Sequence, residues 1–198
     1  MAITNGYCTL AQVKASLRIT DTVDDSLLEL AVESASREID QACERSFYNM
    51  GTASRIFVAR DAYFTEIDDL ISLTTLQTDP SGQTDYEVTW QPADYQLEPL
   101  NGFVGGIQSP INGIRSRDTY LFPQQEGEAL VKVTGVWGWA IIPTAIAQAS
   151  IILASRIFKR NDSPLGVAGF GDLGVIRVGK LDPDVEALIH AFRKPRLA

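Results

Sequence analysis

The sequence predicts an α+β fold, mainly a helical bundle with an inserted antiparallel β region. Both ends of the chain carry apolar residues at helical spacing, whereas the middle is rich in β-branched and aromatic residues separated by short turns such as DPSG, LNG and ING. Because the β region lies between helical ends, we expect residues 1–50 and 140–198 to form one helical core and residues 51–139 to form a β-rich insertion, effectively in one domain.

Two helices are predicted near the start of the chain. Thr9 and Gln12 have the spacing of a capping box, which places a short amphipathic helix over residues 8–17. Asp24 and Asp25 then precede a second helix that is expected to run to about Phe47, since acids stabilise a helix N-terminus. One apolar stripe should face the core: Leu28, Ala31, Ala35, Ile39 and Ala42.

The middle of the chain predicts strands at residues 55–59, 85–90, 94–99 and 129–139. Trp137 and Trp139 end the last of these, and we interpret them as core residues rather than as a platform for stacking nucleic-acid bases. The acids Asp68 and Asp69, in the stretch TEIDDLISL, indicate a turn or a strand edge.

Two more helices are predicted in the last third of the chain. The first begins at Pro143 and continues to about Arg160, and its apolar residues cover more than one face, which indicates packing partners on several sides. The second begins with Asp182 as N-cap and Pro183 as its first residue.

A glycine-rich loop lies between these two helices. Its residues 169–174, GFGDLG, match the GxGxxG pattern of dinucleotide-binding loops, which follow a strand and open a helix. Here turn-forming residues precede the glycines and the β-branched run 175–178 follows them, so the order is reversed. This order argues against a dinucleotide-binding loop. A small α+β nucleotide-binding enzyme that uses the glycine loop at 166–174 is kept as the alternative function.

Candidate catalytic and metal-binding groups are few. His190 is the only histidine, no GxSxG motif is present, and Cys8 and Cys43 have no paired spacing, so both are expected as buried reduced thiols. Asp21, Asp24 and Asp25 are typical of helix capping rather than of a metal cluster. The sequence predicts a protein that is not an enzyme, with no catalytic residues, no metal and no cofactor.

The net charge of −8 is unevenly distributed. Residues 1–50, 51–140 and 141–198 carry net charges of −4, −7 and +3, as counted from the sequence. Such an acidic chain repels phosphate backbones, so its charge disfavours gripping nucleic acid but is compatible with enclosing it without specific binding. The longest apolar stretch is too short and too polar for a membrane span, and the N-terminus lacks a secretory pattern, so a cytosolic chain is expected.

Two stretches carry a resemblance to a known family: residues 7–48, beginning YCTLAQVKASLRITDT, and residues 133–195, beginning VTGVWGWAIIPTAIAQ. They resemble the head-to-tail connector (adaptor) proteins of long-tailed bacteriophages. The resemblance implies a structural protein of the virion neck that forms a dodecameric ring between the portal protein and the stopper or tail proteins. It also implies that the ring extends the DNA channel and provides the platform for tail attachment. A neighbouring stopper or tail-completion protein stays as a further alternative.

The resemblance gives two hypotheses about interaction sites. The apolar residues of the glycine loop would lie against an adjacent subunit, and a basic C-terminal segment would engage the portal. The subunit-interface residues are Leu165, Val167, Phe170 and Leu173. The portal-docking residues are Phe192, Arg193, Lys194 and Arg196.

Overall fold

The computed structural model describes residues 2–117, 119–125, 127–160 and 182–194. They form two compact units. The helical unit consists of the described residues of Met1–Phe47 and Ile142–Ala198, and the sheet unit consists of those of Tyr48–Ile141.

Four α-helices build the described part of the helical unit, and a short 3₁₀ turn at His190–Phe192 follows the last of them. Helix α2 packs along α3, α1 contacts both, and α4 packs against α3. The helices are α1 (Leu10–Leu17), α2 (Asp25–Cys43), α3 (Thr144–Arg160) and α4 (Pro183–Ile189). Among the described residues, no helix is long and apolar enough to cross a bilayer.

The ends of α1 and α2 follow local chemistry. The predicted capping box of α1 is confirmed, because the Thr9 hydroxyl accepts from the Gln12 N–H at 3.2 Å and the Gln12 side chain accepts from the Thr9 N–H at 2.8 Å. Asp24, in contrast, makes no side-chain capping bond to α2. Helix α2 stops at Cys43, short of the predicted end at Phe47, because Glu44 takes a left-handed conformation with φ of 56°.

The core of the helical unit combines small apolar residues with paired polar groups. The predicted stripe of α2 is buried except for Ala42, whose place is taken by Cys43. The hydroxyl of Ser36 accepts from the Tyr7 N–H at 3.0 Å and donates to the Val32 carbonyl at 2.8 Å. Hydrogen bonds are needed here because an unpaired polar group in a core is costly.

The sheet unit contains a six-stranded antiparallel sheet and a separate two-stranded hairpin. The strand order is β1-β8-β2-β7-β4, β3 pairs with β2, and the hairpin is β5-β6. The strands are β1 (Asn49–Phe57), β2 (Phe64–Thr78), β3 (Val88–Trp90), β4 (Tyr95–Glu98), β5 (Phe103–Val104), β6 (Ile107–Gln108), β7 (Ile111–Ser116) and β8 (Val131–Gly138).

The α+β class is confirmed, but the description of the fold as mainly helical is not. Strands hold about as many of the described residues as helices do. The reading of Asp68 and Asp69 as a turn or a strand edge is wrong, since both lie within the long central strand β2, which pairs with β3, β7 and β8. Asp69 is buried and accepts the indole N–H of Trp139 at 2.8 Å, so a distant residue stabilises an acid that looks out of place in a strand.

Large aromatic residues fill the core of the sheet unit, as predicted for Trp137 and Trp139, which are both buried. The indole N–H of Trp137 donates to the Ala53 carbonyl at 2.8 Å. Trp90 stacks on Phe122 with 4.7 Å between ring centroids, and its indole N–H donates to the Thr78 hydroxyl at 2.9 Å. Each indole thus buries its apolar area without leaving a donor unpaired.

Candidate assembly surfaces

The predicted subunit-interface residues Leu165, Val167, Phe170 and Leu173 lie outside the described residues, as does the whole glycine loop at 166–174. Their role stays a prediction. Arg196 of the predicted docking segment also lies outside them.

The rest of the docking segment follows α4. Asp182 caps this helix by accepting from the Asp184 N–H at 3.0 Å, as predicted, and it also pairs with Arg156 of α3 at 3.2 Å. These contacts fix the start of α4 to the end of α3. The docking segment therefore follows a helix whose N-cap residue is fixed to α3.

The three described docking residues have different environments. Phe192 is buried and meets Phe47 edge to face, with 5.9 Å between ring centroids, so its ring belongs to the core rather than to the surface. Arg193 is exposed and makes two bonds of 2.8 Å to the carboxylate of Glu186. The backbone N–H of Lys194 donates to the Cys43 carbonyl at 3.1 Å. Docking by Arg193 and Lys194 stays a prediction.

The remaining residues singled out in the sequence are His190, Cys8, Cys43 and Asp21. His190 is exposed at the start of the 3₁₀ turn. Cys8 and Cys43 are free and buried, as expected, and burial raises the pKa of the Cys43 thiol to about 11. A thiol with a raised pKa holds little thiolate at neutral pH and is a poor nucleophile. Asp21 accepts from the backbone N–H of Val23 at 3.1 Å.

An exposed apolar stripe on α2 escaped the sequence reading, which considered only the buried face of this helix. Val23, Leu27 and Leu30 are 83%, 46% and 51% exposed. Leu27 and Leu30 are three residues apart and lie on the same face of α2, and Val23 lies in the turn just before the helix begins. We call this set the α2 stripe.

The sheet unit has a pocket of about 230 Å³ between β2, β6, the start of β7 and residues 139–141. Its lining is mostly apolar and includes Leu70, Ile107, Trp139 and Ile141. Among the described residues, those that line this pocket carry no ionisable side chain.

Three carboxylates of the sheet unit, from Asp79, Asp85 and Glu87, come within 4.8 Å of one another. Asp79 already accepts hydrogen bonds from the Ser81 hydroxyl and from three successive backbone N–H groups, of residues 82–84. Burial opposes ionisation of Asp79, but these bonds outweigh it and hold its pKa below the usual value. Asp79 is therefore accounted for as the anchor of a turn.

Comparison with known proteins points to one family. Residues 7–77 match the family model of the phage gp6-like head-tail connector protein. This match covers α1, α2, β1 and nearly all of β2. No curated protein matches the chain.

Two solved structures share the fold. One is described as the neck of an empty GTA particle computed with C6 symmetry, with a TM-score of 0.59, 18% identity and coverage of 100% of this chain and 95% of that chain. The other is described as the neck of a native GTA particle computed with C12 symmetry, with a TM-score of 0.57, 17% identity and coverage of 100% and 94%. The resemblance to phage head-to-tail connector proteins is thus confirmed over residues 7–77, where the sequence is similar to the gp6-like head-tail connector model.

Proposed function

We propose that this protein is a structural, non-enzymatic adaptor at the head-to-tail junction of a phage or phage-like particle. The observation that carries the proposal is the match of residues 7–77 to head-tail connector proteins. The fold shared with chains from particle necks supports it. The location that follows is the neck of the virion.

The finer parts of the proposal concern the assembly. The adaptor forms a ring, expected to be dodecameric, between the portal protein and a stopper or tail-completion protein, and the ring extends the DNA channel. The similar chains come from necks computed with six-fold and twelve-fold symmetry, which supports a cyclic assembly. A cyclic ring needs two different, complementary surfaces on each subunit.

We further propose that the helices of residues 1–50 and 140–198 form the connector core and that residues 51–139 are a β-rich insertion in it. The insertion carries most of the negative charge, since residues 51–140 have a net charge of −7. Acidic surface in the channel would repel the DNA backbone, so DNA would pass without being held.

The test is a particle that lacks this chain. We expect such particles to package DNA in heads that carry no tails, and purified protein added to an extract should restore tail attachment, as counted by negative-stain microscopy. Tailed particles that form at the normal level without the chain would contradict the proposal.

The two interaction sites proposed from sequence can be tested separately. Phe170→Ser with Leu173→Ser should reduce assembly on the portal while leaving the subunit folded, with Leu165 and Val167 as second targets. For portal docking, removal of residues 195–198, which includes Arg196, combined with Arg193→Glu and Lys194→Glu, should weaken portal binding in a pull-down. Phe192 is kept because its burial would turn its loss into a stability defect. Unchanged portal binding would remove the docking proposal.

The alternative of a nucleotide-binding enzyme rests on the loop at 166–174, and none of the comparisons supports it. A thermal shift with NAD, ATP and GTP separates the two functions. We expect no shift in the melting temperature, and a shift that disappears on changing Gly169 and Gly171 would favour the enzyme.

A further inference from the structure

The exposed apolar side chains of the helical unit are not scattered. Among the described residues of that unit, the large hydrophobic side chains that are exposed are Val23, Leu27 and Leu30, which together make the α2 stripe. Isolated exposed apolar residues are ordinary on a protein surface. Two leucines on one face of α2, with Val23 in the turn before it, in a unit whose other described large apolar residues are at least half-buried, indicate a surface that another molecule covers.

The α2 stripe faces away from the neighbours of α2 within the subunit. The opposite side of α2, with Leu28, Val32 and Ala35, is fully buried, and α2 packs chiefly along α3. Exposed Ser34 extends the line by one turn without adding a charge. The stripe is therefore an uncharged outer face of the helical unit.

Charge in the helical unit is segregated between two helices. Residues 21–44, which comprise α2 and the turn before it, contain eight acids and a single base, Arg37. Helix α3 contains three bases, Arg156, Lys159 and Arg160, and no acid. The surroundings of the α2 stripe are thus strongly acidic, and the C-terminal end of α3 is strongly basic.

The basic end of α3 is exposed in the part of the chain that the structure describes. Lys159 and Arg160 are exposed, and neither forms an ion pair with another described residue, whereas Arg156 is already paired with Asp182. Ile157 and Phe158, directly before them, are half-buried and offer apolar surface beside the two bases. This combination of apolar area and positive charge complements the α2 stripe and its acids.

We propose that the α2 stripe of one subunit is covered by the C-terminal end of α3, at Lys159 and Arg160, of a second copy of this chain. The inference rests on the proposed adaptor function and names one interface of its ring. Because the two surfaces differ, the contact is heterologous and repeats from subunit to subunit until the ring closes. The acids around the stripe make a DNA backbone an unsuitable occupant.

Cysteine crosslinking tests this contact in the assembled protein. The chain with Leu30→Cys and Lys159→Cys is assembled on portal-bearing heads and treated with a short bismaleimide. The native thiols do not interfere, since Cys8 and Cys43 are buried and burial raises the pKa of each. We expect a ladder of dimer, trimer and higher species on a denaturing gel, because each subunit contributes one end of two different crosslinks.

The matched controls are the two single-cysteine variants, which should stay monomeric on the same gel. A second pair, Leu27→Cys with Arg160→Cys, covers the event that one site perturbs folding, which circular dichroism reports. Dimers from a single variant would show a two-fold contact and overturn the inference. The proposed contact is also wrong if both double variants bind to the heads but neither forms a ladder. In that case the proposed adaptor function is unaffected. If the chain does not sediment with the heads at all, the proposed function itself fails.

Charge reversal gives an independent measurement. Lys159→Glu with Arg160→Glu should reduce the amount of chain retained on heads by about tenfold or more, because like charges would then face each other across the contact. Leu27→Ser with Leu30→Ser should reduce it as well. Mixing the two variants leaves one sound surface on each, so they should form a single heterodimer and no ring. Full retention of either variant on the heads would overturn the inference.

Discussion

The two units of this protein solve the same packing problem with different residues. The sheet unit fills its core with large aromatic side chains, and its three indole N–H groups donate to Thr78, Ala53 and Asp69. The helical unit also buries Phe47 and Phe192, but the buried residues of α2 and α3 are aliphatic or small, and the hydroxyls of Tyr7 and Ser36 pair its buried polar atoms.

The difference indicates where each unit is vulnerable. Removing one large ring from a core lowers the free energy of unfolding strongly, because a large cavity remains. Removing one hydrogen bond from a core lowers it less, since a single bond contributes about 1 kcal/mol. All three tryptophans lie in the sheet unit, so fluorescence reports on that unit and helical circular dichroism reports mainly on the other.

The largest effect is expected from Trp137→Ala. The side chain is fully buried, so its removal should destabilise the sheet unit by about 3–5 kcal/mol. Urea unfolding followed by the fluorescence of Trp90 and Trp139 measures this. Tyr63→Ala serves as control, because Tyr63 is 58% exposed and its loss should cost little. If the two variants lost equal amounts of unfolding free energy, the buried ring would contribute no more stability than an exposed one, and the aromatic core would not distinguish the sheet unit.

Gly138→Ala should give the next largest effect. Gly138 has a φ of 95°, and a Cβ there would lie 2.0 Å from the carbonyl oxygen of Tyr48. At a compatible site, replacing glycine by alanine stabilises a protein by up to about 1 kcal/mol. Here backbone strain and the clash should instead destabilise it by more than about 1 kcal/mol. Gly106→Ala is the matched control, with a φ of 81° and nothing within 4 Å, and it isolates the conformational part. Identical unfolding midpoints for the two variants would disprove the clash.

Tyr7→Phe tests the polar part of the helical core. The Tyr7 hydroxyl donates to Asp40 and accepts from the Phe47 N–H at 2.8 Å, so the variant leaves a buried donor unpaired. The expected loss is about 1–3 kcal/mol, measured by urea unfolding at 222 nm. Tyr63→Phe is the control on an exposed ring. A loss above that of Trp137→Ala would reverse the ranking of the two units.

The smallest effect is expected from Thr9→Ala at the N-cap of α1. Loss of the capping bond to Gln12 should cost about 1 kcal/mol. Thr9→Ser retains the hydroxyl and should retain most of the stability. If the serine and alanine variants unfold at the same urea concentration, the capping box contributes nothing to the helical unit.

Local signals in the sequence were sufficient for parts of the fold. The capping box at Thr9 and the buried stripe of α2 depend on residues three and four positions apart, which the sequence displays directly. Trp137 in β8 and Trp139 just after it were recognised as core residues because their size makes exposure unfavourable. These features need no knowledge of distant contacts.

Features that depend on distant contacts were missed. Strand β2 carries acids in its first half, and the buried Asp69 accepts a hydrogen bond from Trp139, which lies in another part of the chain. Phe192 beside two bases indicated a docking peptide, but its ring packs on Phe47. The α2 stripe was visible as spacing in the sequence, yet only the structure shows which of the two apolar lines of α2 is buried.

The division of the helical unit between the two ends of the chain has a consequence for biosynthesis. Helices α1 and α2 leave the ribosome before the whole of Tyr48–Ile141, and α3, on which α2 packs, comes only after it. During that interval the inner face of α2, with Leu28 and Ile39, lacks α3, the helix that it packs along most extensively. The synthesis of the sheet unit is therefore finished before that of the helical unit. We expect chaperones to bind the nascent chain mainly through α2.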